Sequence, residues 1–278
     1  MVRAWIQRNV VASYILLAYG ITWSLALLLA LSYHGVISLG IPFGLHYLLP
    51  YGPMLSALIL TWVRGGKDAV RALLSRMSKW RIKPVWIVTA LFSVWVFFIA
   101  SAFMMVAIGQ PWPDLSIFGQ VMYLPYLTFL GSWALWIITY GIGEETGWRG
   151  YLLPHLQAKY SALTSSLIVG LFWAAWHAPM FLYDENLIAM GPFGTISWVI
   201  GLMFGSVLQT WLYNNTEGSV LMTAIWHGTF NTFTAAAGQA ASVTSGIISM
   251  LVMVLVVIIV IIYKPRNLSR SERQKATV

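Results

Sequence analysis

The chain has no cysteine. That excludes a disulfide framework, a thiolate nucleophile and a Cys-ligated metal. Any metal would fall to His, Glu, Asp or Asn. Charge is also scarce: charged residues make up 9% of the chain, and Asp and Glu together number 8. Apolar residues make up 59%, and mean hydropathy is +0.76. A soluble globular domain does not have this balance.

Long hydrophobic runs take the place of charge. Runs of about 20 apolar residues recur, the length a helix needs to cross a bilayer. They do not alternate as the shorter strands of a membrane barrel would. The expectation is an all-α polytopic membrane protein with about eight transmembrane helices. The spans read as 10–31, 43–63, 85–108, 122–143, 163–182, 195–213, 220–237 and 244–263. The first follows Arg3 and Arg8, and its apolar run exceeds a signal-peptide core, so it reads as a retained anchor. The chain reads as a single membrane domain over 1–278, with no internal repeat and no soluble domain.

The net charge of +8 is distributed as membrane topology distributes it. Residues 64–84 carry Arg64, Lys67, Arg71, Arg76, Lys79, Arg81 and Lys83. The tail, 264–278, carries Lys264, Arg266, Arg270, Arg273 and Lys275. Arg149 and Lys159 follow the fourth span. The alternate loops hold Asp114, Asp184 and Glu185 and no Lys or Arg. All basic segments share one side only if both termini are cytoplasmic. Anionic lipid is therefore the expected partner of the basic segments, and nucleic acid is not. Val70, Leu73, Leu74, Met77 and Trp80 recur at helical spacing among the bases of 64–84, the pattern of an amphipathic helix on a membrane surface. Gly201 and Gly205 form a Gly-x-x-x-Gly pair, which reads as tight helix packing.

Charge at membrane depth is expensive and usually has a function. Glu144 and Glu145 end the fourth span, and Arg149 lies four residues after Glu145. An i,i+4 pair shares a helix face, so Arg149 can neutralise Glu145, while Glu144 points away and lacks a local partner. A salt-bridged helix end explains Glu145 and Arg149 but not Glu144. A carboxylate crowded by another in a dry pocket suits general acid–base work. His177 lies inside the fifth span, one turn after Trp173 and two residues before Pro179, which should break the helix. His227 and Asn231 are again i,i+4. Each of these polar groups can serve as interhelical glue. Equally, His and Asn can stabilise an oxyanion, and His can ligate a metal. No Gly-x-Ser-x-Gly elbow or His-Glu-x-x-His run is present, so water is the expected nucleophile. His34, His46 and His155 read as interfacial or packing residues.

Three segments resemble the motifs of the CPBP family of intramembrane proteases. That family includes the type II CAAX prenyl endopeptidases and the bacterial Abi and bacteriocin self-immunity proteins. Glu-Glu-x-x-x-Arg matches Glu144, Glu145 and Arg149. Phe-x-x-x-His matches with Trp173 in the Phe place and His177. His-x-x-x-Asn matches His227 and Asn231. The resemblance covers 141–235. It implies a CAAX-protease-like bundle open toward the cytoplasm. It implies that Glu144, with His177, activates water, that His227 and Asn231 stabilise the oxyanion, and that Glu145 and Arg149 orient the site. It favours catalysis without a cofactor. The alternative is one divalent metal, zinc, on His177, His227 and Glu144 or Glu145. The implied partner is a membrane-associated peptide or protein substrate, and the implied location is a bacterial cell membrane. Two other classes compete: a non-enzymatic immunity or scaffold protein that retains the motif, and a proton-coupled transporter, for which no inverted repeat speaks.

Overall fold

The computed structural model describes residues 2–38, 40–117, 119–235 and 242–276, and among these there is no strand. After a short leading helix, Val2–Arg8, come eight main helices among the described residues. These are α1 (Val10–Tyr33), α2 (Tyr51–Met77), α3 (Pro84–Ala107), α4 (129–157), α5 (Ala162–Trp176), α6 (Gly191–Asn215), α7 (Val220–Thr234) and α8 (Val243–Asn267). Their starts follow local chemistry. Pro84 opens α3 within its first turn. The hydroxyls of Ser161 and Ser219 accept the Thr164 and Met222 amides at 3.1 and 3.3 Å, capping α5 and α7, as short polar side chains do at helix starts.

Among the described residues, six segments are long and apolar enough to cross a membrane: Val10–Tyr33, Phe43–Met77, Pro84–Ala107, Ala162–Leu182, Gly191–Asn215 and Val243–Asn267. Apolar side chains such as Leu16, Phe92, Phe103, Val254 and Ile261 project from the bundle, as lipid-facing residues do. The two other expected spans differ from expectation. The helix expected over 122–143 begins only at Phe129, past Pro125, and runs on through the glutamates to Gln157. Glu144 and Glu145 are therefore mid-helix rather than at a helix end. Within α4, Ile137–Glu144 and Trp148–Leu152 are π-helical, a wider winding common at functional sites. The seventh expected span, 220–237, is 15 residues long as α7, short of a full crossing. Its expected end at 236–237 lies outside the described residues, as do 277–278 of the tail.

Pro179 acts as expected. The α-helix stops at Trp176, and Ala178–Leu182 continues as a 3-10 turn, because proline has no N–H to extend the helix. The basic segment does not lie free on a surface. It continues α2 across a break at Gly66 (φ 67°), and one face packs on α4. Leu73 is buried, Arg76 donates to the Gly150 carbonyl and the Tyr213 hydroxyl at 3.3 and 3.2 Å, and Arg64 meets His155 at 2.5 Å. The tail folds against the same end. Gln157 donates to the Gln274 carbonyl at 2.6 Å, and the Ala276 amide reaches the Pro154 carbonyl. The basic segments thus share one end of the bundle.

Two apolar cores flank the middle. One gathers Tyr14, Leu29, Trp148, Trp173 and Trp176 from α1, α4 and α5. The other gathers Val94, Trp211, Trp226, Phe233 and Val252 from α3, α6, α7 and α8. α4 and α7 join them through glycine. A Cβ on Gly228 would lie 2.6 Å from the Ile137 nitrogen, and one on Gly141 would overlap the Ala224 carbonyl. The Gly201–Gly205 pair does not do this work: nothing lies within 4 Å of a Cβ at Gly205. Its spacing matched the motif, but no helix backbone approaches it. Gly228→Ala should therefore destabilise the protein by about 1–3 kcal/mol through overpacking. Gly205→Ala should be neutral or stabilising by up to about 1 kcal/mol. Thermal melts in detergent check both, and equal effects would contradict the packing assigned here.

Candidate active site

The site forms where α4 and α5 face α7. Glu144, Glu145 and Arg149 are each 0% exposed. Burying an ion costs several kcal/mol unless it is paired and hydrogen-bonded, so the pairing decides what each group can do. Arg149 donates from Nη1 to Glu145 Oε1 at 3.0 Å, the i,i+4 contact the spacing requires. His227 Nδ1 lies 2.9 Å from the same oxygen. Since a carboxylate only accepts, Nδ1 carries the proton and donates. The Arg149 guanidinium also sits over the Trp173 ring, 4.9 Å from its centroid, a cation–π contact that gains strength away from water. Glu145 therefore ties α4 to α7, and Arg149 ties α4 to α5.

Glu144 is placed differently. Its Oε2 accepts from the indole N–H groups of Trp148, at 3.3 Å, and of Trp173. Its Oε1 has no hydrogen-bond partner. The expectation of no local partner for Glu144 was incomplete. Trp148 is the i+4 partner, inside the Gly-Glu-Glu-Thr-Gly-Trp-Arg-Gly stretch. Both donors are neutral, so they orient the carboxylate without cancelling its charge.

His177 ends α5. Its Nδ1 is 2.8 Å from the Trp173 carbonyl. A carbonyl only accepts, so Nδ1–H donates and, in the neutral ring, Nε2 is left with its lone pair. The ring stands edge-on to Trp176 and Trp198 at 4.7 and 5.0 Å. Glu144 and His177 do not hydrogen-bond to each other. Trp173 links them, its indole on Glu144 and its carbonyl on His177. It also packs edge-to-face on His227 at 5.2 Å. Asn231 lies one turn beyond His227 on α7 and is half-buried, and its side chain makes no hydrogen bond among the described residues. Glu144, Glu145, Arg149 and His227 thus converge, with Trp173 at the centre and His177 and Asn231 at the margins.

No three His, Asp or Glu side chains among the described residues are close enough to hold a metal ion together. His177 and His227 each engage Nδ1 in a hydrogen bond and keep Nε2 free among the described residues, so their hydrogen bonding is compatible with ligation. As these side chains are placed, His177, His227 and Glu144 or Glu145 do not form such a group. Of the remaining histidines, His34 Nε2 contacts the Leu182 carbonyl and His155 meets Arg64, both as packing or interfacial groups. His46 is buried among tyrosines.

Fold and site together define a polytopic helical membrane protein with a buried carboxylate, arginine and histidine cluster built from three helices. Residues 126–233, which carry all three motifs, match the model of a family described as "Type II CAAX prenyl endopeptidase Rce1-like". A "CAAX prenyl protease 2" of Methanococcus maripaludis is 27% identical over 92 residues, 32% of this chain. Both are likenesses of part of the chain, in keeping with the resemblance of its three motifs to the CPBP family. The match spans about a third (34%) of that relative's length.

The ion cluster makes a prediction of its own. Arg149→Ala leaves the Glu145 carboxylate buried with His227 alone and should cost about 3–5 kcal/mol of stability, as breaking one side of a buried pair does. Arg149→Lys should cost less. A melting temperature for Arg149→Ala equal to that of the unaltered protein would contradict the pairing.

Proposed function

We propose that the chain is an intramembrane endopeptidase that hydrolyses a peptide bond of a membrane-associated or CAAX-like substrate, using water activated by Glu144. The observation that carries this reading is the contrast between two adjacent buried carboxylates. Glu145 is neutralised by Arg149 and takes a hydrogen bond from His227. Glu144 is aimed by two neutral indoles that leave its charge uncancelled, and each carboxylate keeps one oxygen without a partner. Orientation without neutralisation is what a group needs if it must take a proton and return it. The family match and the name of the methanococcal relative support peptide hydrolysis as the reaction.

In this reading water lies between Glu144 Oε1 and His177 Nε2. Glu144 takes a proton as the water oxygen attacks the carbonyl carbon. The resulting oxyanion accepts hydrogen bonds from His227 Nε2 and the Asn231 amide. His227 already donates from Nδ1, so it can donate from Nε2 only as an imidazolium, and Glu145 is the carboxylate that balances that charge. Glu144 then returns its proton to the amide nitrogen as the C–N bond breaks. Every group in this sequence is a side chain of the protein, so no metal is required. The basic end, with both chain termini, would face the cytoplasm and rest on anionic lipid, with the substrate entering from that side.

The test compares protein termini in membranes of cells making the intact protein or Glu144→Ala at matched levels. New termini are expected only with the intact protein. Their absence across several growth conditions would favour a non-enzymatic immunity or scaffold role. With a purified substrate, Glu144→Ala should lose about 10²–10⁴-fold in rate, at least as much as the loss of about 10²–10³-fold expected for Asn231→Ala. A chelator should leave the rate unchanged. Inactivation by chelator with recovery on adding zinc would contradict the metal-independent sequence.

A further inference from the structure

A buried polar cluster outside the site connects two of the elements that carry it. His46 lies in the 3-10 turn Phe43–Leu48, between α1 and α2, and is 5% exposed. Both ring nitrogens are used: Nε2 meets the Tyr140 hydroxyl at 2.5 Å, and Nδ1 meets the Tyr183 hydroxyl at 2.7 Å. Tyr140 belongs to the π-helical stretch Ile137–Glu144, four residues before Glu144. Tyr183 ends the 3-10 turn that leads away from His177. Asp184 Oδ2 stands 3.8 Å from His46 Nε2, and Asp184 is itself fixed as the cap of the short helix Glu185–Ala189.

We propose that His46 is a positioning residue that sets the separation between the helix carrying Glu144 and the segment carrying His177, from the end of the bundle opposite the basic segments. This role presupposes the proteolytic reading above only for its effect on rate. Three features favour it over simple packing. A packing position among Tyr47, Tyr123 and Tyr183 would be filled best by an apolar ring, because an imidazole brings two polar atoms that cost free energy unless both are bonded. A neutral imidazole donates from one nitrogen and accepts at the other, so two hydroxyls at its two ends are what a bridge requires. The bridged pieces are also both irregular. The π-helical stretch of α4 and the proline-broken end of α5 both depart from regular helix geometry, and Glu144 and His177 sit on them.

Because the chain has no cysteine, two labels can be placed without background. Ile138→Cys and Leu182→Cys put spin labels at exposed positions, 57% and 47%, beside Tyr140 and Tyr183. Dipolar spectroscopy in lipid nanodiscs gives the distance distribution between them. His46→Ala should broaden and shift that distribution. Tyr140→Phe, which keeps the ring and loses only the hydroxyl, should do the same to a lesser degree. In the unlabelled protein both variants should lower kcat with KM unchanged, by up to about 10²-fold, since a misplacement of about 1 Å can cost that much. An unchanged distribution in both variants overturns the proposal, whatever the activity does. A loss confined to KM also overturns it. If the unaltered protein cleaves nothing, the proteolytic reading fails, and the label distances still decide whether His46 is the bridge.

Discussion

A guanidinium with no access to solvent is the constraint on which this structure depends. Arg149 is fully buried in the middle of the bundle, and such a charge is tolerated only if neighbouring groups replace water on several sides. Glu145 supplies the countercharge from one turn away, and Trp173 supplies the face of its ring. Glu145 in turn takes a hydrogen bond from His227. These contacts bind α4, α5 and α7 more specifically than apolar packing does, since a hydrophobic interface can slide and an ion pair with a shared oxygen cannot. The glycine contacts at Gly141 and Gly228 serve the same end. They let α4 and α7 approach closely enough for Glu145 and His227 to meet.

That arrangement separates the two glutamates. Adjacent carboxylates in one dry pocket repel each other, and the structure resolves the conflict by giving them different partners. Glu145 receives the Arg149 guanidinium and the His227 N–H, while Glu144 receives the indole N–H groups of Trp148 and Trp173. Trp173 does three things at once: it donates to Glu144, covers Arg149, and offers its carbonyl to His177. A phenylalanine in its place would keep the ring contact and the carbonyl and lose the donor. The π-helical winding on either side of Glu145–Gly147 accompanies this placement of neighbouring residues in one buried cluster.

Part of this was legible in the residues. The i,i+4 spacing of Glu145 and Arg149 is local, and local geometry survives folding, so that pair is where the spacing puts it. The helical class, the break at Pro179 and the gathering of basic segments at one end follow from length, proline chemistry and charge distribution. Long-range partners were not legible. Nothing in the run before Glu144 signals π winding; its contact with Trp148 is i,i+4 and open to the same local geometry, whereas its Trp173 donor lies 29 residues on. Apolar residues 122–128 read as helix because hydropathy does not distinguish a span from a loop at its end. The basic segment read as surface-bound because its pattern is the same whether its apolar face meets lipid or α4. Gly201 and Gly205 matched a packing motif, but a motif does not say whether a second helix is there. His46 looked like an interfacial histidine because its two tyrosine partners lie far away in the chain.

The central claim is that the two glutamates divide the work, Glu145 holding the site together and Glu144 performing the chemistry. Parallel melting and cleavage measurements on Glu144→Gln and Glu145→Gln test it most directly. Glu144→Gln should abolish cleavage while melting close to the unaltered protein, because an amide oxygen still accepts from the indoles. Glu145→Gln should lower the melting temperature sharply, because it leaves Arg149 without its countercharge. A Glu144→Gln protein that cleaves, or a Glu145→Gln protein that melts with the unaltered one, would contradict the account.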